Sequence, residues 1–158
     1  MKIGKTEKTL LNSAKDGPLC FTLLDSQSTP TSSLPSIIKT IEKSKATAIF
    51  VGGSTISDQT EIETFVNKIK KLTKLPVILF PGNISGVASN ADAILFMSLL
   101  NSDNPYFITG AQALGSISVK KHNIEPLPTA YLIVGEGSGA AGFVGQARGI
   151  PIDKPEIA

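Results

Sequence analysis

Residues 48–80 read AIFVGGSTISDQTEIETFVNKIKKLTKLPVILF, and this stretch decides the fold class. It opens on Ala48-Ile49-Phe50-Val51 and closes on Val77-Ile78-Leu79-Phe80. Neither run alternates polar with apolar, which is how a strand buried on both faces of a parallel sheet reads. Between them, Ile62, Phe65, Val66, Ile69 and Leu72 recur at helical spacing. Asp58, Glu61 and Glu63 stand at the start of that helix and Lys68, Lys70, Lys71 and Lys74 at its end, each sign complementing the macrodipole. Asp58 with Glu61 three residues on forms a capping-box pattern, Asp replacing Ser or Thr. The stretch is one strand–helix–strand unit.

The same alternation extends in both directions. Phe21-Thr22-Leu23-Leu24 precedes Leu34, Ile37, Ile38 and Ile41, a helical stripe with Pro35 in its first turn. Ala93-Ile94-Leu95-Phe96-Met97 and Ala130-Tyr131-Leu132-Ile133-Val134 supply two further strands. Tyr106 to Lys120 reads as a weaker helix, diluted by Gly110 and Gly115, and Ser85–Asn90 and Thr6–Ala14 as short ones. Repeated strand–helix order means a parallel sheet with right-handed crossovers. Strand starts at 21, 48 and 76 lie 27 and 28 residues apart. That is the unit size of a (β/α)8 TIM barrel, in which eight units take roughly 250 residues. A doubly wound open sheet has the same local pattern and stands as the alternative.

Composition removes several function classes. The 158 residues are 41% hydrophobic and 18% charged, with a formal net charge of +2. Basic residues are almost all lysine, Arg148 being the one arginine, and there is no tryptophan. Neither an arginine-rich reading surface nor a stacking platform for nucleic acid is present. One cysteine, Cys20, excludes an intrachain disulfide framework, and one histidine, His122, excludes His-rich zinc sites. Both lie at strand entries, away from the end where barrel chemistry collects, so Cys20 reads as a buried, inert thiol. No apolar run approaches the ~20 residues of a spanning helix. The first residues lack the apolar core of a signal peptide, so the expected location is cytoplasmic.

In either α/β architecture, ligands sit at the C-terminal ends of the strands. The first strand ends in Asp25, which reads either as a Mg²⁺ ligand or as a loop cap. The second runs into Gly52-Gly53-Ser54, a tight turn whose serine completes a metal or phosphate site, or caps the next helix. The third runs into Pro81-Gly82-Asn83, and the fourth into Asn101-Ser102-Asp103-Asn104. Gly52, Gly53, Gly82 and Asn83 are candidate substrate-binding positions, since small residues admit a ligand close to the backbone. A G-x-G-x-x-G pattern at Gly137, Gly139 and Gly142 raises a Rossmann-like nucleotide site as an alternative.

Five segments in series carry a resemblance: Phe21–Asp25, Ile49–Ser54, Pro76–Asn83, Ala93–Ser102, and Tyr131–Val134 with Gly142–Ala147 and Ile150-Pro151. Their order and spacing resemble those of the geranylgeranylglyceryl phosphate synthase family. The resemblance implies a (β/α)8 barrel and a prenyltransferase joining geranylgeranyl diphosphate to sn-glycerol 1-phosphate, which forms the ether bond of archaeal membrane lipids. It implies Mg²⁺ as cofactor, with Asp25 and Ser54 as the metal-associated positions. The family's general base and glycerol-phosphate loops are expected beyond residue 158. On this reading residues 1–158 are a single barrel domain, truncated at its C-terminal side, carrying about five of the eight strands. It would act with a complementing C-terminal half or as a homo-oligomer, touching membranes only peripherally through its lipid substrate. A non-catalytic half-barrel is the competing expectation.

Overall fold

The computed structural model describes residues 3–53, 58–135, 142 and 144–158. Helix α1 (Lys5–Ser13) precedes β1 (Phe21–Asp25), α2 (Leu34–Lys43), β2 (Ala48–Gly53), α3 (Gln59–Leu72), β3 (Val77–Pro81), β4 (Ala93–Leu99), α4 (Ala111–Lys121) and β5 (Glu125–Tyr131). All five strands pair in parallel, in the order β1-β2-β3-β4-β5. A doubly wound sheet reverses direction after its first strands, whereas a barrel adds each new strand to the same edge. The sequential order therefore makes this sheet a five-strand arc of a (β/α)8 barrel and removes the Rossmann-like alternative.

The pleat divides the apolar residues into two layers. Leu24, Ile49, Val51, Val77, Leu79 and Ile94 point outward and pack with Leu34, Ile38 and Ile41 of α2 and Ile62, Phe65, Val66 and Ile69 of α3. Ala48, Ile78, Ala93 and Leu127 point inward, with Leu10 of α1 packed against them at the strand entries. Higher on the inner face the aromatics form a line: Phe21 stacks on Phe50 at 4.7 Å, Phe50 on Phe80 at 6.2 Å, and Phe80 meets Tyr131 edge-on at 5.9 Å. Phe21 and Leu23, nearest the β1 edge, are exposed.

Helix α1 is tied down by the start of β5. The Glu125 carboxylate, at the start of β5, accepts from the Thr6 amide (2.7 Å) and the Glu7 amide (2.8 Å). These amides have no partner within the helix, so Glu125 serves as a cap from 118 residues away.

Three details differ from the sequence reading. The fifth strand runs from Glu125, not Ala130, and contains Pro126 and Pro128. Leu100 donates to the Tyr131 carbonyl, which places the odd-numbered backbone groups of β5 against β4 and both prolines on the open side. Proline is tolerated there because no ladder donor is lost, and it also blunts the edge. Beyond Tyr131, the Asn101 side chain stands in for a strand, accepting from the Ile133 amide (3.1 Å) and donating to its carbonyl (2.9 Å). The expected helix over 85–90 is only a 3₁₀ turn, Ile84–Gly86. The chain's last residues form a single 3₁₀ turn, Pro155–Ile157, preceded by Lys154 with no side-chain cap. Cys20 is exposed rather than buried: it precedes the first ladder pair, and its amide donates to Thr47 Oγ1 (3.1 Å).

The lysine run at the end of α3 is partly engaged. Lys70 pairs with Asp92 at 2.8 Å and donates to the Asn90 carbonyl, while the other carboxylate oxygen of Asp92 accepts from the Val77 amide. The pair fixes α3 to the β3–β4 connection.

Candidate functional site

An interval in the chain creates the site. β4 begins 16 residues after β3, where β2 begins 27 after β1. Residues 82–92 have room for the Ile84–Gly86 turn but not for a helix. The outer face of β3 and β4 therefore lacks its usual helical cover between α3 and α4. A cleft of about 400 Å³ reaches from the strand ends, where inner-face Leu23, Phe80, Leu95, Met97 and Tyr131 line it, into this gap. Its walls are apolar: Ile94 and Phe96 from β4, Ile84 and Val87 from the connection, and Gly115 and Val119 from α4. Its mouth carries Asp25, Gly52, Gly53, Gly82 and Asn83. Five of the six sequence-nominated positions thus converge. The sixth, Ser54, lies outside the described residues.

Asp25 is half-buried at the end of β1, in register with Gly52. Its Oδ1 accepts from the amides of Gln27 (3.0 Å) and Ser28 (2.9 Å), so the loop-capping role is real. A carboxylate offers about four acceptor sites, so two amides on one oxygen leave it able to ligate a cation. Gly52 is needed for closeness: a Cβ there would lie 3.2 Å from both Leu23 Cδ1 and the Phe80 carbonyl oxygen. No group of three or more His, Cys, Asp or Glu side chains gathers anywhere among the described residues. One carboxylate with hydroxyl, water and phosphate oxygens is a donor set suited to Mg²⁺ and unsuited to zinc.

Asn83 is more constrained than its sequence position suggests. Its Oδ1 accepts from the Ile84 amide (2.7 Å) and from the Tyr106 hydroxyl (2.6 Å). Tyr106 opens a π-helical turn, Tyr106–Gly110, that leads into α4. The Tyr106–Asn83 bond straps this turn across the mouth, and Phe107 beside it lines the cleft. Gln112 holds the turn from below, its Nε2 donating to the carbonyls of Met97 and Phe107. With both neighbours being acceptors, the amide has one sensible orientation, and it leaves Oε1 buried with no partner among the described residues. Tyr106, Phe107, Gln112 and Gly115 escaped nomination because the sequence presents them as an ordinary helix. The one cue was the short β3–β4 interval.

The polar run after β4 is structural. Asn101 bridges Ile133 and the Arg148 carbonyl (2.6 Å), and Ser102 Oγ donates to the Gly145 carbonyl at 2.5 Å. Arg148 pairs with Asp103 at 2.7 Å, which raises the guanidinium further above its ordinary value through that hydrogen bond. Glu63 accepts from the Ser89 hydroxyl (2.7 Å) and amide (3.1 Å), and these bonds hold its carboxyl below the ordinary range. Glu63 thereby pins the cleft's outer connection to α3. Of the glycine pattern, Gly137 and Gly139 lie outside the described residues.

Known proteins share this chain's sequence and fold. It is 54% identical over 157 residues to the geranylgeranylglyceryl phosphate synthase of Nitrosopumilus maritimus, covering 98% of this chain and 62% of that one. The synthase of Cenarchaeum symbiosum is 57% identical over 140 residues, covering 89% of this chain and 56% of that one. Among solved structures, the (S)-3-O-geranylgeranylglyceryl phosphate synthase of Thermoplasma acidophilum, in complex with its substrate sn-glycerol-1-phosphate, superposes with a TM-score of 0.88. That pair is 34% identical and covers 99% of this chain and 62% of that structure. The chain thus spans about three-fifths of the length of the relatives it matches. Residues 19–158 match the PcrB family, and with relatives above half identity over nearly the whole chain, the protein belongs to that family.

Proposed function

We propose that this chain forms the prenyl-diphosphate half of a Mg²⁺-dependent prenyltransferase, one that joins geranylgeranyl diphosphate to sn-glycerol 1-phosphate in the cytoplasm. The observation that carries the reading is the cleft: its lining from Phe96 to Val119 is apolar except for Gln112, and Asp25 and Asn83 stand at a mouth at the strand ends. That polarity suits a long hydrocarbon with an anionic head. The sequence relatives are named for this activity, and the superposable Thermoplasma acidophilum structure holds sn-glycerol-1-phosphate.

The proposed reaction forms one C–O bond and breaks another. The glycerol 3-hydroxyl oxygen bonds to C1 of the prenyl chain as the allylic C–O bond breaks, and diphosphate leaves with the electron pair. When bound, Mg²⁺ neutralises charge developing on that leaving group. Asp25 and Ser54 would hold the ion. Gly52, Gly53 and Gly82 let the diphosphate approach the backbone, and Asn83 with Tyr106 orders the mouth. The apolar walls anchor the chain and exclude water from an allylic centre that water would otherwise capture. A base from the remaining three strands takes the hydroxyl proton.

The test incubates the chain, alone and with the last three βα units of a full-length relative, with radiolabelled sn-glycerol 1-phosphate, geranylgeranyl diphosphate and Mg²⁺. The expected result is Mg²⁺-dependent binding of the diphosphate by the chain alone and ether product from the mixture. Absence of both overturns the proposal.

A further inference from the structure

We propose that the end of the sheet opposite the cleft mouth, where the strands begin, is a docking surface for an anionic lipid bilayer. Helices α2, α3 and α4 all finish there on exposed lysines: Lys43, Lys71, and Lys120 with Lys121. Helix α1 lies across the same end, since Leu10 packs at the strand entries and the Thr6 hydroxyl donates to the Asp92 carbonyl just before β4. Its exposed side carries Lys5 and Lys8. Of the acids at this end, Asp92 pairs with Lys70, Glu125 caps α1 and Glu42 accepts from the Thr73 hydroxyl, which leaves Glu7 and Asp16 to oppose the lysines. At the mouth end the sign reverses: exposed Asp58 and Glu61 begin α3, and Asp103, paired with Arg148, follows β4.

Helix dipoles account for only part of this charge. A cation is favoured in the last turn of a helix, which covers Lys43, Lys71 and Lys120, and disfavoured in the first. Lys5 opens α1 and Lys8 stands three residues on, where the macrodipole opposes both, so an anion outside the chain gives their placement a reason. Apolar side chains stand among the lysines: Ile3 is 56% exposed, Leu11 50% and Leu72 40%. Lysines interleaved with exposed leucine and isoleucine suit a bilayer surface, with ammonium groups at the headgroup phosphates and apolar tips at the acyl boundary. A bilayer needs only point charges, whereas nucleic acid favours arginine forks and aromatic platforms, and this chain has one arginine and no tryptophan. The contact is made by the protein's own surface and needs nothing in the cleft. On the reading proposed above it also orients the cleft, whose lining descends α4 from Ala111 to Val119, beside Lys120. A lipid held there keeps its head toward water and its tail toward the bilayer, as in the leaflet beneath.

The test is co-sedimentation of the chain, with no prenyl ligand present, with vesicles of phosphatidylcholine alone or of equimolar phosphatidylcholine and phosphatidylglycerol. The expected result is binding to the anionic vesicles at least about tenfold tighter than to the neutral ones, weakening as salt is raised. Lys5→Gln and Lys8→Gln should each lose about fivefold, and the double variant about twentyfold or more. Lys154→Gln removes the same charge on the strand-end side, near the Val134–Ile150 bridge, and should lose less than about twofold. The parent chain has no tryptophan, so Leu11→Trp reports alone, and its emission should shift to the blue with anionic vesicles only. Equal affinity for the two vesicle types, binding indifferent to salt, or a loss in Lys154→Gln matching that in Lys8→Gln overturns the proposal. Binding of a duplex oligonucleotide without binding of vesicles also overturns it and gives the surface to nucleic acid. None of these outcomes bears on the prenyltransferase reading, which stands or falls on ether formation in solution.

Discussion

Replacing Glu125 with alanine should release α1, and the structure sets the size of the effect. Its carboxylate satisfies two amides of the first turn, at 2.7 and 2.8 Å, and the receiving residue Thr6 is buried. Loss of an N-cap costs about 0.5–2 kcal/mol, and removal of a negative charge from a helix N-terminus adds about 0.3–1 kcal/mol. The sum, about 2 kcal/mol, corresponds to a melting-point fall of roughly 4–8 °C for a domain of this size. Gly4 provides an independent check. Its backbone is ordinary, φ −79° and ψ −178°, yet a Cβ there would collide with the Glu125 side chain. Gly4→Ala should therefore destabilise by displacing the cap, although its own conformation admits alanine. Once Glu125 is alanine, the collision partner is gone, and Gly4→Ala should cost nearly nothing further. Thermal melts of the four proteins, with hydrogen exchange across residues 5–13, complete the cycle. Additive effects of the two substitutions, or full amide protection of α1 in Glu125→Ala, would refute the capping argument.

Three further outcomes follow from the site. Asp25→Asn keeps an acceptor for the Gln27 and Ser28 amides but removes the charge, so the melting point should hold while Mg²⁺ no longer enhances geranylgeranyl diphosphate binding in calorimetry. Ser102→Ala leaves the buried Gly145 carbonyl and Asn104 amide without their hydroxyl, which should cost about 1–3 kcal/mol in urea unfolding and expose the 145–148 segment to protease. Glu63 is held below the ordinary carboxylate range by Ser89, so its contribution to stability is present above the unfolded carboxyl's pKa and lost as pH falls through the folded value. Acid titration followed at Ser89 by NMR should show that loss in the parent, and in Glu63→Gln it should be absent.

The fold was legible where burial imposes a pattern. β2, α3 and β3 match the quoted stretch closely because most residues of each strand and one stripe of the helix are buried. Asp58 caps α3 by accepting from the Thr60 amide at 2.8 Å, as its position suggested. β5 was misplaced because apolar continuity fails as a guide at an edge. Its prolines point away from the ladder, and the denser run at 130–134 passes out of it, held by Asn101 and by Ile150, whose amide donates to the Ile133 carbonyl. That Asp25, Gly52, Gly53, Gly82 and Asn83 would gather at one end of the sheet was legible because parallel strands all end on the same side. Asn83's bond to Tyr106 was not, since it joins residues 23 apart across a turn whose π-helical pitch no local propensity encodes.

The cleft owes its existence to what the third unit leaves out. A barrel is ordinarily sealed by one helix behind each strand pair, and its ligands stay at the strand ends. Here the 16 residues from the start of β3 to that of β4 cannot hold a strand, two turns and a helix. Without the missing helix, Ile94 and Phe96 would face water. Instead, Val87 from the connection and the Gly115–Val119 face of α4 close over them incompletely, and the unfilled space joins the strand-end mouth. A conventional barrel mouth can hold a phosphate; this one also opens into an apolar channel beneath it. The connection that frames the channel cannot be left loose, which accounts for its unusual tethering. Lys70 bonds Asp92 and the Asn90 carbonyl, Glu63 bonds Ser89, and the Asn90 side chain donates to the Glu63 carbonyl at 2.8 Å. All of these tethers come from α3, the last helix before the gap. The polar residues of α3 that look like a solvated face in the sequence are thus the outer wall's anchors, and cutting them should widen the cleft before it unfolds the sheet.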